Sequence, residues 1–557
     1  MRKTILIIVL LSFFHGYAQI APDKYFVQFI DKNNSPYSIG NPEEFLTQRA
    51  IDRRLRQGIL VVENDLPVNP QYLQGVTDEG AVLLNATKWL NGVTIFTESQ
   101  TVLDHIYALP YVVEILKVVD RNNPSHKSFF DEETYGKPGT DEGHTTRTVA
   151  ELDYGAAEHQ IDQINGIPLH NLGYQGQGMV IAVLDGGFEG AQEHPVFDSL
   201  WANGQILGTR DFVHPHDQDV FTESGHGKSV LSTMGANWPG QMIGTAPEAS
   251  YWLLRSEDVN SENIIEEYNW VSAAEYADSV GADVINSSLS YQDFDLPQWD
   301  HSYEDLDGNT AVATRGADYA TRKGILVCNS AGNSAGSEFP WNASPADADS
   351  VFSIGAVTYV GSWATFSSIG PTVDGRIKPA VVAMGQGTTV ARGTSTVETG
   401  SGTSYSSPII TGMSTCLWQA NPTMKVMEIQ AAIKASASLA ETPNDTLGWG
   451  IPDYMKAHTI MTEFENQIDK SNELDVNVWP NPFKDDLYMR FLSSKETHIR
   501  VELYNILGIL IYGEDISISR DENKALFKNK LTWLRSGIYF LRISSDKNLV
   551  TKKVIRQ

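Results

Sequence analysis

Polar residues follow several of the apolar runs that this sequence predicts to be buried strands. Residues 180–184 lead into Asp185, residues 325–328 lead into a polar segment that ends at Asn333, and residues 282–285 lead into further polar residues. In an open parallel sheet, ligands bind beyond the carboxyl ends of the strands, which lie at one edge of the sheet. The sequence therefore predicts a functional site at that edge.

Two further residues complete a set that can carry out nucleophilic catalysis. His226 lies between two glycines, and Ser404 precedes an apolar helix with Pro408 predicted in its first turn. Free N–H groups and the helix dipole favour an oxyanion at a helix N-terminus. A serine hydroxyl needs a base, which a histidine supplies, and a buried carboxylate orients that histidine. We therefore interpret Asp185, His226 and Ser404 as a candidate triad. Asn333 is the candidate oxyanion donor.

Each of these residues also has an ordinary structural interpretation. Asp185 before glycines can stabilise a turn, Ser404 can cap its helix, and a lone histidine more often belongs to a surface or a core. The order Asp, His, Ser along the chain is one of the known orders for this constellation, and it favours the catalytic interpretation. Two other catalytic patterns do not fit. The sequence contains no His-Glu-x-x-His, and Ser404 has no glycine two positions later.

Over residues 155–460 the sequence resembles the subtilisin-like serine peptidases, or subtilases. The matching motifs are Val-Leu-Asp-Gly-Gly at 183–187, Gly-His-Gly at 225–227, Ser-Ala-Gly-Asn at 330–333 and Gly-Thr-Ser-Tyr-Ser-Ser-Pro at 402–408. This resemblance implies a serine endopeptidase with Asp185, His226 and Ser404 as its triad. It also implies that Asn333 and the main-chain amide of Ser404 form the oxyanion hole.

The resemblance further indicates where a peptide would bind. Ser288, Leu289 and Ser290 resemble the strand-edge segment with which an extended substrate pairs in this family. A strand edge binds peptide main chain and tolerates many sequences. An ordinary strand end with solvated serines is the alternative. Ala331 and Gly332, in the motif that contains the candidate oxyanion donor, are expected to belong to the same substrate site.

Three positions depart from the family pattern. Gly186 follows the aspartate where threonine is usual, Lys228 replaces a usual threonine, and Tyr405 follows the serine where methionine or a similar residue is usual. None of these changes removes a catalytic group. They are expected to affect the shape of the pocket and the sensitivity of the site to oxidation, and not the class of reaction. A catalytically silent surface or adhesion protein with the subtilisin fold is the alternative function.

The remaining sequence is predicted to position this site. Residues 155–460 alternate apolar runs with helical patterns, which predicts an α/β fold with a doubly wound parallel sheet. Residues 20–118 read as a small α+β domain that resembles the inhibitory propeptides of the family. Residues 119–154 read as a linker that contains the maturation site, with a mature N-terminus expected between about 120 and 160. Residues 461–474 are predicted to be a second linker.

Both ends of the chain carry targeting features. Residues 1–18 have the basic start, short apolar run and small residues of a signal peptide. Residues 475–557 predict a small all-β sandwich and resemble the C-terminal sorting domain of the type IX secretion system of Bacteroidetes. These features predict a protein that is secreted or held at the outer cell surface and that meets the type IX machinery. A β-sandwich that binds carbohydrate or the catalytic domain is the alternative for the C-terminal region.

The composition of the chain limits which partners and cofactors can be expected. The net charge of −28 over 557 residues argues against nucleic acid as a partner. No apolar run is long enough for a membrane span, and we expect a monomer that acts on proteins or peptides and needs no cofactor for catalysis. A structural calcium ion stays open, because Asp305 to Asn309 alternate oxygen-bearing side chains, although a solvated turn is favoured there. Cys328 and Cys416 lie in apolar runs and are expected to be buried free thiols, with a single disulfide as the alternative.

Overall fold

The computed structural model describes residues 24–119, 134–136, 152–471 and most of residues 475–556. Within the last range the gaps are residues 480, 482, 485–486, 493–496, 506–507, 519–524, 527–530, 532 and 546–548. The predicted signal peptide lies outside the described residues, and so does most of the predicted linker at 119–154.

Residues 24–119 form an α+β unit with its own core. Its elements are β1 (Lys24–Phe29), α1 (Gln48–Gln57), α2 (Pro70–Asp78), β2 (Val82–Thr87), β3 (Gly92–Phe96), α3 (Gln100–Tyr107) and β4 (Val112–Lys117). The strands make an antiparallel sheet in the order β2-β3-β1-β4. Val76 on α2 and Ile106 on α3 pack with Val27 and Val93 of the sheet. A short strand, β5 (Thr134–Gly136), follows this unit.

A parallel sheet lies at the centre of residues 152–471. The strands of this region are β6 (Val180–Asp185), β7 (Ile206–Asp211), β8 (Asn237–Trp238), β9 (Met242–Ile243), β10 (Ser250–Arg255), β11 (Val284–Ser287), β12 (Leu326–Ser330), β13 (Phe352–Val357), β14 (Val381–Met384), β15 (Thr388–Arg392) and β16 (Thr396–Ser401). Seven of them pair in parallel in the order β14-β13-β12-β11-β6-β10-β7. Strands β8 and β9 form a hairpin, and β15, β16 and β5 form an antiparallel sheet.

Helices cover both faces of the parallel sheet. They are α4 (Glu158–Asp162), α5 (Ile167–Asn171), α6 (Asp198–Ala202), α7 (His226–Gly235), α8 (Ile265–Val280), α9 (Val312–Arg322), α10 (Thr403–Ala420), α11 (Val426–Ser436) and α12 (Tyr454–Ser471). Along β6, Ile181 and Val183 pack in the core that contains α7 and α10. Ala182 and Leu184 pack in the core that contains α8 and α9. Burial on both faces fixes the register of β6 and therefore the position of its last residue.

The C-terminal region is entirely β among its described residues. Its strands are β17 (Asp475–Trp479), β18 (Tyr488–Leu492), β19 (Thr497–Asn505), β20 (Leu510–Ile518), β21 (Ala525–Leu526), β22 (Gly537–Ser544) and β23 (Leu549–Arg556). They form two antiparallel sheets, in the orders β17-β18-β21 and β20-β19-β22-β23. Met489, Val501 and Leu541 share the core between these sheets. The fold class predicted from the sequence is confirmed in all three regions.

Some details differ from the sequence predictions. Helix α12 continues to Ser471 and so crosses the boundary predicted at residue 460; its buried Tyr454, Ala457 and Met461 anchor it to the central core. Strand β7 had no predicted counterpart, because its sequence Ile-Leu-Gly-Thr-Arg-Asp has neither a continuous apolar run nor an alternation of polar and apolar residues. The two cysteines are buried and free, as the sequence predicted.

The N-terminal unit docks on helix α8 through buried charges. Arg53 and Arg54 of α1 lie 2.5 and 2.7 Å from Asp278 of α8, and Lys88 lies 3.0 Å from the same carboxylate. Burial alone would raise the pKa of Asp278, but these three cations outweigh it and hold that pKa well below its usual range. The carboxylate is therefore ionised in the docked state, and its charge balances cations that have no access to water.

We expect Asp278→Asn to weaken this docking strongly. Removing the anion leaves Arg53 buried without its carboxylate partner and leaves Arg54 with Asp65 alone. Loss of one partner of a buried ion pair typically costs about 3–5 kcal/mol. Urea unfolding of the full chain, carrying Ser404→Ala to prevent self-cleavage, measures the change. Asp52→Asn is the matched control, since Asp52 lies on α1 but is exposed and bonds only Gln48. Equal stability of the two variants would contradict the importance of the buried cluster.

Candidate active site

The carboxyl end of β6 holds a buried aspartate against a histidine. Asp185 is the last residue of β6 and His226 is the first residue of α7. The Nδ1–H of His226 donates to the carboxylate, with Nδ1 2.8 Å from Oδ1 and 3.0 Å from Oδ2. Because a carboxylate only accepts, this contact assigns the proton of the neutral ring to Nδ1. Nε2 then carries the lone pair that a general base requires.

Glycines allow β6 and α7 to approach this closely. The N–H of Gly227 donates to the carbonyl of Gly187 at 2.9 Å. A Cβ at Gly227 would lie 2.5 Å from that carbonyl oxygen and 3.0 Å from Cβ of Asp185. The second glycine of the Gly-His-Gly motif is therefore required by packing at the site, and it lets α7 begin at the histidine rather than several residues later.

Ser404 lies at the start of helix α10, and the residue after it contacts His226. It is the second residue of the helix, where main-chain N–H groups have no acceptor inside the helix. The ring of the next residue, Tyr405, packs against His226 with the centroids 6.0 Å apart. Ser404 is buried, and no described residue hydrogen-bonds to its Oγ. The hydroxyl of this serine is therefore not tied to another group of the described protein.

Asn333 is held in one orientation by the residue before the serine. Its Oδ1 accepts both from the main-chain N–H of Thr403 and from the Thr403 hydroxyl, each at 2.9 Å. Because the main-chain N–H can only donate, the oxygen of the amide must face Thr403. Nδ2 is then turned the other way; it is buried and has no hydrogen-bond partner among the described residues. The geometry thus presents an N–H donor whose acceptor is not supplied by the surrounding protein.

Thr403 is the functional residue that the sequence reasoning missed. Besides holding Asn333, its hydroxyl oxygen accepts the N–H of Gly332 at 3.2 Å. It therefore links the segment after β12 to the start of α10. The only available signal was its place inside the quoted Gly-Thr-Ser motif, which by itself assigns no role to a threonine.

The prediction that Pro408 lies in the first turn of α10 is wrong. Pro408 is the sixth residue of the helix, and as a proline it cannot donate to the carbonyl of Ser404 four residues earlier. That carbonyl instead accepts the hydroxyl of Ser288 at 3.0 Å. The proline therefore has a specific effect, because it frees the carbonyl of the candidate nucleophile to bond the predicted substrate segment.

The predicted substrate-binding residues lie around Ser404 and Asn333. Leu289 is buried and its carbonyl accepts Nδ2 of Asn329 at 3.0 Å, while Ala331 donates its N–H to Ile354 at 2.9 Å. Ser288 and Gly332 are also buried, which leaves Ser290 as the partly exposed member of the five. A Cβ built on Gly332 would lie 3.4 Å from Oγ of Ser290, so the two segments meet there.

The described part of the predicted linker pairs next to this site. Thr134, Tyr135 and Gly136 of β5 lie antiparallel to Ser401, Gly400 and Thr399 of β16. Strand β16 leads directly into α10, which carries Ser404. The linker thus adds a strand to the sheet that precedes the candidate nucleophile.

A buried Asp-His pair at the end of a parallel strand, a serine in the first turn of a buried helix and an amide donor after another strand of the same sheet are typical of the subtilisin-like serine peptidases. Residues 176–450 match the subtilase family. The central domain of this chain therefore belongs to that family. Residues 24–131 match the peptidase S8 propeptide domain of Bacteroidota, and residues 477–557 match the secretion system C-terminal sorting domain. The sorting domain indicates export to the outer cell surface or the medium.

Curated relatives agree with this assignment at modest identity. Serine protease AprX of Bacillus subtilis (strain 168) is 29% identical over 290 residues, which are 46% of this chain and 61% of AprX. Subtilisin NAT of Bacillus subtilis subsp. natto is 28% identical over 302 residues, 54% of this chain and 69% of the relative. The chain thus spans about three fifths of AprX. Among the residues that the structure describes, no helix is long and apolar enough to cross a membrane.

We expect Thr403→Val to lower kcat by roughly 10-fold with little change in KM, less than the loss of a whole oxyanion donor. The variant loses the hydroxyl bond to the candidate donor Asn333, whereas the main-chain N–H of residue 403 still holds its Oδ1. Removing the oxyanion asparagine of subtilisin itself costs roughly 10²–10³ in kcat. Thr403→Ser keeps the hydroxyl and is the matched control. Steady-state kinetics on a chromogenic peptide separate the two constants, and a valine variant as active as the serine variant would argue against this role.

Proposed function

We propose that this protein is a secreted serine endopeptidase that is made as a zymogen. The observation that carries the proposal is a hydrogen-bonded Asp-His pair together with two buried polar atoms that lack partners among the described residues. Asp185 and His226 are bonded to each other, whereas Oγ of Ser404 and Nδ2 of Asn333 are buried with no partner among the described residues. Buried polar atoms without partners are rare and costly, which favours a function for both.

In the proposed reaction, Oγ of Ser404 attacks the carbonyl carbon of the scissile peptide bond. Nε2 of His226 takes the serine proton as the bond forms and gives it to the leaving amine as the carbon–nitrogen bond breaks. Asp185 keeps the imidazole oriented and stabilises its cation. Water then hydrolyses the acyl-enzyme by the same proton transfers in reverse order. This chemistry uses protein groups alone, and we propose no cofactor for it.

The negative oxygen of the tetrahedral intermediate would lie between two donors. One is Nδ2 of Asn333, which Thr403 holds in the donating orientation. The other is the main-chain N–H of Ser404 in the first turn of α10, where the helix dipole adds to the stabilisation. Because both donors belong to rigid, buried elements, they need little reorganisation when charge develops.

The substrates proposed here are extended peptides or protein segments. Ser288, Leu289 and Ser290 follow β11, and Ala331 and Gly332 follow the adjacent β12. Main-chain binding by such segments is tolerant of sequence. The alternative, a catalytically silent surface or adhesion protein, would use the same fold with no need for a serine and an asparagine kept free of partners.

A fluorophosphonate probe tests the reaction directly. We expect it to label the secreted wild type, and we expect both labelling and casein cleavage to be lost in Ser404→Ala. Ser414→Ala is the control, because Ser414 lies in the same helix and bonds Tyr454 away from the site. If correctly folded wild type without its propeptide neither reacts nor cleaves casein, the silent alternative replaces the proposal.

Maturation provides an independent test of the zymogen. Since β5 pairs beside the strand that leads to Ser404, we propose that the chain cuts its own linker. N-terminal sequencing of the secreted wild type should give a start between about 120 and 160, and Ser404→Ala expressed in a protease-deficient host should keep its N-terminal unit. An active form that still begins at Gln19 would refute the proposed maturation.

A further inference from the structure

Three buried glutamates gather where β10 connects to α8. Glu257, Glu262 and Glu266 are 3%, 5% and 0% exposed, and each offers a carboxylate oxygen within 4.8 Å of the other two. All three lie outside the candidate triad and the predicted substrate segments. Like charges this close in a dry environment repel strongly, so the cluster needs an explanation.

No ion pair to this cluster is formed by the described residues, although buried Lys24 interacts with Glu266 at longer range. Asp278 is surrounded by Arg53, Arg54 and Lys88, whereas no described lysine, arginine or histidine forms an ion pair with any of the three glutamates. An added positive charge would therefore be strongly favoured among them.

Two oxygen atoms at the cluster are buried with no hydrogen donor among the described residues. One is Oε2 of Glu266, whose Oε1 already accepts the N–H of Asn263 at 3.2 Å. The other is the side-chain Oδ1 of Asn263, a residue only 5% exposed. Carboxylate oxygens together with an amide oxygen are the ligands that hard cations prefer.

The type of donor selects the ion. No histidine or cysteine belongs to the cluster, which disfavours zinc. Calcium accepts six to eight oxygens in irregular geometry, whereas magnesium requires a near-octahedral set and retains its water. We propose that Glu257, Glu262, Glu266 and Asn263 form a calcium-binding site.

The proposed site lies where three parts of the molecule meet. Tyr291, which follows the predicted substrate segment, donates its hydroxyl to Oε2 of Glu257 at 3.0 Å. The carbonyl of Glu262 accepts the N–H of Asp295 at 2.7 Å, and the N–H of Ile265 donates to the carbonyl of Val118 at 3.2 Å. Bound calcium would therefore fix the β10–α8 connection against the substrate segment on one side and the end of the N-terminal unit on the other.

The turn from Asp305 to Asn309, which the sequence suggested as a possible calcium site, can be compared with the glutamate cluster. There the carboxylate of Asp305 accepts from Ser302, and that of Asp307 accepts from Asn309 and Thr310. Donors of the turn itself thus occupy these oxygens. Among the described residues, the glutamates have fewer donors. Tyr291 donates to Glu257, Ser261 and Asn263 donate to Oε1 of Glu266, and Glu257 and Glu266 can share a hydrogen bond.

Calcium binding is tested on the full chain carrying Ser404→Ala, so that the result does not depend on catalysis. After chelation, calcium should raise the thermal midpoint by several degrees, and terbium should give luminescence sensitised by Tyr291. Glu262→Gln and Glu266→Gln should each lose most of the shift and most of the luminescence. Asp307→Asn, at the turn, should keep both.

The glutamine variants distinguish a calcium site from a set of protonated carboxyls, because only a calcium site would lose its response to calcium in them. Glutamine is a neutral side chain of nearly the same shape as a protonated glutamate, so the metal-free variants should be about as stable as the parent, and misfolding is not expected. If either variant responds to calcium as fully as the parent, the cluster is a set of protonated carboxyls and the proposal is overturned. Loss of the response in Asp307→Asn alone would overturn it equally, because calcium would then bind at the turn.

Discussion

The hydrogen bonds between Thr403 and Asn333 are the constraint on which the proposed active site depends. They join the first residue of α10 to the segment after β12, and so they fix the nucleophile and the oxyanion donor relative to each other. Pro408 and Ser288 fix the same helix start from its other side. Because α10 is buried for most of its length, its start cannot move unless the core repacks, and dense cores resist such movement.

Buried charge is handled in two different ways in this molecule. At Asp278, three cations from the N-terminal unit neutralise one carboxylate, and the contact depends on that unit being docked. At Glu257, Glu262 and Glu266, three carboxylates stand together without an ion pair among the described residues. At Asp278 the protein itself supplies the counter-charges. At the glutamate cluster, only protons or a cation from solution can balance the negative charge.

The parts of the site that could be predicted from sequence are those that local pattern determines. Asp185 ends an apolar run and Ser404 begins an apolar helix, so chain position alone indicated their place at one edge of the sheet. The role of Thr403 and the true position of Pro408 depend on where α10 starts relative to β12, and no local pattern carries that information. The glutamate cluster escaped notice for a similar reason, since a charged segment normally predicts a solvated surface and only tertiary packing buries it.

The interface between the N-terminal unit and α8 is sensitive to mutation, yet the whole unit can still dissociate. Thr87, Lys88 and Trp89 of that unit cover Glu275 of α8 and donate three hydrogen bonds to its carboxylate. A single mutation at this interface leaves a charge buried without a partner, which is costly. Departure of the whole unit has a different effect, because the groups that exclude water leave together with the groups that neutralise the charge. Both sides then regain solvent, so contacts that are sensitive to substitution can still separate once the linker is cut.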